Sequence, residues 1–320
     1  MSQSINQQKI AYQAKLDTMF LDFATLYQTS YDQTTPYWNK LAMEVKSDTE
    51  AIVTAWMDRL PRLRKWIGPR VIHSPVVNAR TLIHADHELT VSVPRNKIKD
   101  DQYGLYGPTV SMMGVSASRF PDYELAKILM DPPPAWDNVP FFGENHPAGT
   151  NENGVAQFYS NVVDGLLSPE TYKLARAQMR GIRDPMGNRM GIVGTMLVVP
   201  PSLEDVALRL AHQTFSPERV IGATAGTGDV GTGENIWKGT IEVIVIDDLE
   251  DEPDAAYLVA SSLPLKPFVY VNREPPQFVQ LTSPTDPNVF FLKEYIMGVE
   301  LRASFDVTMP FLITKIAPID

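Results

Sequence analysis

Three groups of residues in the 320-residue sequence have types and spacings that could do chemistry. The sharpest is Gly226-Thr227-Gly228-Asp229-Val230-Gly231, which matches the dinucleotide fingerprint and precedes Asp247 and Asp248 at the end of an apolar run. That fingerprint works only where a helix begins at its glycines, so that the free amides and the dipole of the helix meet a pyrophosphate. Only nine residues, Thr232 to Thr240, separate Gly231 from the next apolar run, and two of them are glycines. No helical pattern fits, and a flexible loop is the better reading. The second group is His84 and His87 with Asp86 and Glu88, whose imidazoles and carboxylates suit several divalent ions. A metal site would need ligands converging from elsewhere, and the chain has five histidines, so a solvated hairpin tip is the expectation. The third is Glu144 and His146 within Phe141 to Pro147, an acid and a base without a nucleophile or orienting group beside them, which reads as a structured turn.

The sequence holds no Gly-x-Ser-x-Gly elbow, no His-Glu-x-x-His helix and no P-loop, which lowers the case for an enzyme. Two charge clusters are left. Asp247, Asp248, Glu250, Asp251, Glu252 and Asp254 lack the glycine turn of a calcium loop and read as a solvated run. Arg59, Arg62, Arg64, Lys65 and Arg70 lie among Trp56 and Trp66, and across a subunit boundary they would complement the acidic run.

The elements that would position these residues show in the hydrophobic period. Leu16, Met19, Phe20, Phe23, Leu26 and Tyr27 recur at three and four, which predicts an amphipathic helix over Ile5 to Tyr27. From Val71 to Val93 the period falls to two, with a polar break at His84 to His87, which predicts a long hairpin that would be marginal unless it lay on something else. Val110, Met113, Ala117, Leu125, Ile128 and Leu129 predict one kinked helix or two joined ones, disturbed at Pro121 and ended by Asp131-Pro132-Pro133-Pro134. Ser168-Pro169-Glu170 is a helix start with its stop at Gly181. A strand is expected over Gly191 to Val199, and a capping box over Ser202 to Asp205 opens another helix. Ile241 to Ile246 and Phe268 to Val271 read as strands. The clearest strand runs from Val299 to Met309, where apolar residues alternate with Glu300, Arg302, Ser304, Asp306 and Thr308. The sum is an α+β protein with long elements leaving a mixed core.

Composition bounds the function. With 44% hydrophobic and 21% charged residues the chain is an ordinary globular one. Its net charge of -10 argues against a surface built to neutralise phosphates. It has no cysteine, hence neither disulfides nor thiolate metal sites, which fits a reducing cytoplasm. No stretch approaches eighteen apolar residues, so no membrane span is expected, and Met1 to Asn6 lacks the pattern of a secretory signal.

The segment Trp56 to Arg70, followed by Glu88 to Arg95 and Lys99 to Tyr106, resembles the tryptophan-bounded segment, strand and turn of the Mu-like phage major head subunit family. Phe141 to Pro147 is similar to that family's Phe-Phe and His-Pro loop, Asn235 to Leu249 to its strand entry, and the likeness runs from about Phe20 to the end. The resemblance implies the HK97-like capsid fold. Residues 1–66 would be an N-terminal arm, 67–95 an extended β-hairpin loop, 96–134 the spine-helix part of a peripheral domain, 135–264 an axial domain, and 265–320 the return to the peripheral sheet. It also implies a structural subunit, with no cofactor, whose copies form hexamers and pentamers of an icosahedral shell assembled in a host bacterium's cytoplasm around double-stranded DNA. A scaffolding protein supplied by another chain, a portal and a decoration protein would be its partners. Trp56, Arg64, Trp66 and Arg70 at the arm's exit and His84, Asp86, His87 and Glu88 at the loop tip are the expected assembly residues. The rivals are an encapsulin-like compartment, which shares that fold, and a dinucleotide-binding enzyme resting on Gly226 to Gly231.

Overall fold

The computed structural model describes residues 2–49, 51–57, 77–99, 104–150, 155–184, 187–219 and 230–318. In chain order its helices are α1 (Ser2–Gln33), α2 (Arg95–Lys99), α3 (Tyr106–Met130), α4 (Pro169–Gly181) and α5 (Glu204–His212). The strands begin with β1 (Ala42–Lys46), β2 (Ala51–Met57), β3 (Val77–Ile83), β4 (Ala85–Pro94), β5 (His146–Thr150), β6 (Ala156–Tyr159) and β7 (Val162–Asp164). They continue with β8 (Met196–Val199), β9 (Phe215–Arg219), β10 (Val230–Glu234), β11 (Glu242–Val245), β12 (Ala256–Val259), β13 (Phe268–Leu281), β14 (Glu294–Val307) and β15 (Ile313–Ala317).

Two sheets organise these elements. A long one runs β1-β13-β14-β4, and a five-stranded one runs β11-β8-β12-β15-β7. The long sheet is built on the β13–β14 hairpin, which pairs from Phe268 with Val307 out to Leu281 with Ile296. Pro275 and Pro276 fall at the irregularity in that ladder, past Asn272 where β1 stops pairing, so neither proline interrupts a ladder on its outer side.

Helix α3 crosses from one core to another. Its first half buries Val110, Met113 and Ala117 with Phe20, Phe23 and Tyr27 of α1 and with Tyr295, Met297 and Val299 of β14. Its second half buries Leu125, Ala126 and Leu129 against Met196 and Tyr257, on one face of the five-stranded sheet, and against Phe268 at the start of β13. The other face of that sheet, Leu197, Val199, Leu258 and Ile316, is covered by Tyr172 and Met179 of α4 and Ala207 and Leu210 of α5. Pro121 sits inside α3 without ending it, and the two packed halves hold the helix on either side. Just after it, Asp122 accepts the backbone N–H groups of Tyr37 and Trp38 at 3.0 and 2.8 Å, which ties the chain after α1 to the middle of α3. Burial pushes the Asp122 carboxyl up to about 6 in spite of those two donors.

Several expectations need correction. Strand β3 pairs with β2, from Ala51 with Ile83 to Met57 with Val77, so the hairpin does not fold at His84 to His87. Strand β4 joins the long sheet instead, from Ala85 opposite Ala303 to Pro94 opposite Glu294. Period-two patterning shows that strands exist, but their partners are set by the buried faces available, and β14 offers β4 ten residues of ladder. The strand expected over Gly191 to Val199 spans Met196–Val199 alone. The capping box at Ser202 is absent: its hydroxyl donates to the Pro253 carbonyl at 2.7 Å, and Pro201–Leu203 form a 3-10 turn before α5. Ser168 does cap α4, bonding to Thr171 in both directions. Of the stretch read as loop, Thr232 to Thr240, the first three residues belong to β10 (Val230–Glu234), which pairs with β9.

Candidate assembly surfaces

The residues singled out from sequence fall in different places. Trp56 lies on β2, and Arg64, Trp66 and Arg70 lie outside the described residues, between the two strands of the β2–β3 ribbon. Gly226, Gly228 and Asp229 are also outside them, whereas Val230 and Gly231 begin β10 with no helix following. His84, Asp86, His87 and Glu88 form no tip. They lie where the ribbon joins the body, and they do not converge: His84 is buried, Asp86 and Glu88 are exposed, and His87 packs its ring on Phe120 of α3 at 4.5 Å between centroids. Among the described residues no group of His, Asp and Glu could hold a metal ion.

The joint is built from polar groups. His84 Nδ1 is 2.9 Å from Ser304 Oγ on β14 and its Nε2 is 3.3 Å from Ser47 Oγ just after β1, so one imidazole bridges both sides of the ribbon's root. Burial, with Arg302 and Arg273 nearby, holds His84 below the ordinary imidazole range, which keeps it neutral at neutral pH. One turn of the ribbon earlier, Arg80 reaches Asp306 of β14 at 3.2 Å and donates to the Pro134 carbonyl, also at 3.2 Å. Asp306 is 1% exposed, and burial raises its carboxyl although Arg80 and the Val307 N–H pull the other way. Arg302 and Asp86 face each other at 3.3 Å as a charge contact, and with Asp86 85% exposed it adds little to stability.

Arg80, Asp306, Ser47 and Ser304 were not picked out from the sequence. The alternation along β14 sets Asp306 among the polar residues, but β13 and the ribbon root cover it. The signal that fits is an acid in an otherwise apolar end of a strand, Phe305-Asp306-Val307, with a lone Arg in a strand far upstream.

Glu144 and His146 are not an acid and base pair. His146 is fully buried, with Nδ1 2.7 Å from Asp137 Oδ2 and its ring stacked on Tyr159, while Glu144 is exposed. With Asn161, which donates to the carbonyls of Phe141 and Pro310 at 2.8 and 3.1 Å, this dyad fixes the turn 135–146 against the five-stranded sheet.

An extended ribbon anchored at a polar root, a long helix shared by two cores and a long twisted sheet agree with a match over residues 16–169, 164–249 and 247–315 to the family described as Mu-like prophage major head subunit gpT. The chain belongs to that family. Curated relatives include the major capsid protein of Escherichia phage Mu, 29% identical over 155 residues, which is 47% of this chain and 51% of that one. The Mu-like prophage FluMu major head subunit of Haemophilus influenzae is 26% identical over 149 residues, 46% of this chain and 48% of that one. The chain thus aligns with about half the length of the curated relatives it matches. A chain of the procapsid of bacteriophage JBD30 superposes with a TM-score of 0.60 at 22% identity, covering 96% of this chain and 76% of that one. The chain accordingly has the HK97-like capsid fold, in its α+β form.

Proposed function

We propose that this chain is the major capsid protein of a tailed phage, many copies of which close into an icosahedral shell of hexamers and pentamers around double-stranded DNA. The observation that carries the reading is the β2–β3 ribbon: two seven-residue strands paired to each other, rooted by His84 and Arg80 on the body, with a basic, tryptophan-bearing segment between them. An isolated two-stranded ribbon is marginal in water, so its natural support is a neighbouring subunit. In this reading the extended loop comprises residues 51–83, taking its first strand from the segment assigned above to the arm, and β4 belongs to the peripheral sheet. α3 is the spine helix, residues 135–264 make the axial domain, and 265–320 return to the periphery. A scaffolding protein, a portal and a decoration protein are its partners in the virion, and assembly takes place in the host cytoplasm. The negative net charge lets the shell enclose DNA without gripping it. Among the described residues no helix is long and apolar enough to cross a membrane.

Electron microscopy of the protein, alone and with scaffold from a neighbouring gene, should show closed shells or five- and six-membered rings. Persistent monomers under every condition would refute the reading. Arg64→Glu with Arg70→Glu should leave the melting midpoint of the free subunit unchanged while lowering shell yield by an order of magnitude or more, because reversed charge at a complementary contact costs several kcal/mol across repeated interfaces.

A further inference from the structure

The β2–β3 ribbon leaves the body through two short joints. Ser47 begins the one between β1 and β2, and His84 alone makes the other, between β3 and β4. The joints are tied to each other. His84 Nε2 lies 3.3 Å from Ser47 Oγ, and its Nδ1 lies 2.9 Å from Ser304 Oγ on β14, just past the point where the β4 ladder ends at Ala85 opposite Ala303. Ser47 is fixed in turn to β13, donating its N–H to the Asn272 carbonyl at 3.2 Å and accepting from Arg273 at its own carbonyl at 3.4 Å. One buried imidazole thus holds both joints and the long sheet together at the pivot of the ribbon.

A neutral imidazole has one N–H and one bare nitrogen, so it serves one of these hydroxyls as donor and the other as acceptor. A second proton makes both nitrogens donors and sets a charge where water does not reach, with the Arg302 and Arg273 guanidinium groups nearby. The carboxylates on the elements that meet here are matched to other cations. Asp306 of β14 lies 3.2 Å from Arg80 of β3, and Asp86 of β4 lies 3.3 Å from Arg302 of β14. Lys46 and Asp48, on either side of Ser47, are exposed. An imidazolium here is drawn out towards water, and to reach it the ring must let go of Ser47 and Ser304 together.

We propose that His84 is an acid-released latch at the pivot of the ribbon: neutral, it ties the two joints to β14, and protonated, it lets them part so that the ribbon swings about its root. The latch belongs to the single chain and stands apart from the shell reading above. Because the fold favours the neutral ring, the latch is complete above the ordinary imidazole value of about 6.5 and is lost as pH falls below it. Asp306 acts in the same sense, since burial favours its neutral form and a neutral Asp306 holds Arg80 less well.

The sequence has no cysteine, so Thr81→Cys on β3 and Lys127→Cys on α3, both at exposed positions, supply the only thiols for a pair of spin labels. Thr81 is three residues from the pivot, or about 10 Å, so a swing of about 30° displaces it by about 5 Å. Pulsed electron resonance on the full chain, diluted with unlabelled chain, should give one narrow distance at about pH 7.5 and a broader or longer one at about pH 5. The change should reverse on return, with the far-UV circular dichroism unaltered. Deuterium exchange at the imidazole C2 carbon, read by mass spectrometry, follows the protonation of His84 in the same chain, and its midpoint should coincide with that of the distance change. His84→Gln keeps a donor and an acceptor at the joint without a titrating group, and should hold the narrow distance at both pH values. An unchanged distance overturns the proposal, as do midpoints more than about one pH unit apart. So does a His84→Gln variant that loosens as the wild type does, which would pass the switch to Asp306. If that variant does not fold, the two midpoints decide alone.

Discussion

Asp122 and Asp306 show two carboxylates placed where water does not reach, each for a positional reason. Asp122 is 3% exposed and its folded value of about 6 stands above the ordinary aspartate range near 4. A raised value means that the neutral acid is favoured in the fold. Its contribution is therefore fully present below about pH 4 and is lost as pH rises through 6. Asp122→Asn keeps an oxygen for the Tyr37 and Trp38 N–H groups and removes the charge. Thermal melts should show the variant equal to the wild type at pH 4 and more stable by about 1–3 kcal/mol at pH 7.5. A wild type that gains on the variant as pH rises would reverse this assignment. Arg80→Ala is expected to act the other way, leaving Asp306 buried beside no cation and lowering subunit stability by about 1–2 kcal/mol at neutral pH, as read from denaturant midpoints. Neither acid announced itself in the sequence. Alternation along Val299 to Met309 places Asp306 on a polar face, and only the ribbon root packed over that face makes it an interior residue.

At the scale of elements, periodicity was a good guide to what forms and a poor one to what pairs. The amphipathic pattern of α1, the proline start of α4 and the alternation of β14 are local, set by neighbours within a few residues; α4 begins at its proline, while α1 runs past its pattern at both ends and β14 covers Glu294–Val307 where the alternation marked Val299 to Met309. The partner of β3 is not local. Its choice between β2 and β4 depends on β14 offering β4 a full ladder, which no window around His84 can reveal. The crossing of α1 and α3 was equally hidden, because it turns on one glycine. A Cβ at Gly114 would lie 2.5 Å from the Tyr27 carbonyl oxygen and 3.1 Å from Ser30, so the two helices approach at a distance that only glycine permits. Gly114→Val should part them at a cost of about 2–3 kcal/mol. Limited proteolysis should then cut within residues 14–33 faster than in the wild type, while Tyr172 and Met179, at the other core, keep the five-stranded sheet protected. Equal cutting rates would show that the close approach is not what seats α1.

For the whole molecule, three features meet on one strand. One end of β14 follows the Phe290 to Leu292 turn, its middle buries Val299 and Leu301 in the cores shared with α3, and its far end receives the ribbon root at Ser304 and Asp306. The strand is continuous over fourteen residues and laddered to β13 and β4 along most of that length. Backbone hydrogen bonds of an antiparallel ladder run across the strands, while the covalent chain runs along them. A pull between the turn at one end and the ribbon root at the other would therefore load the ladder in shear, all its bonds together, instead of peeling them one at a time. In a container under pressure from within, β14 is a tie rod: tension arriving from one neighbour passes through covalent bonds to the next, and the cores on either side of α3 are spared the strain.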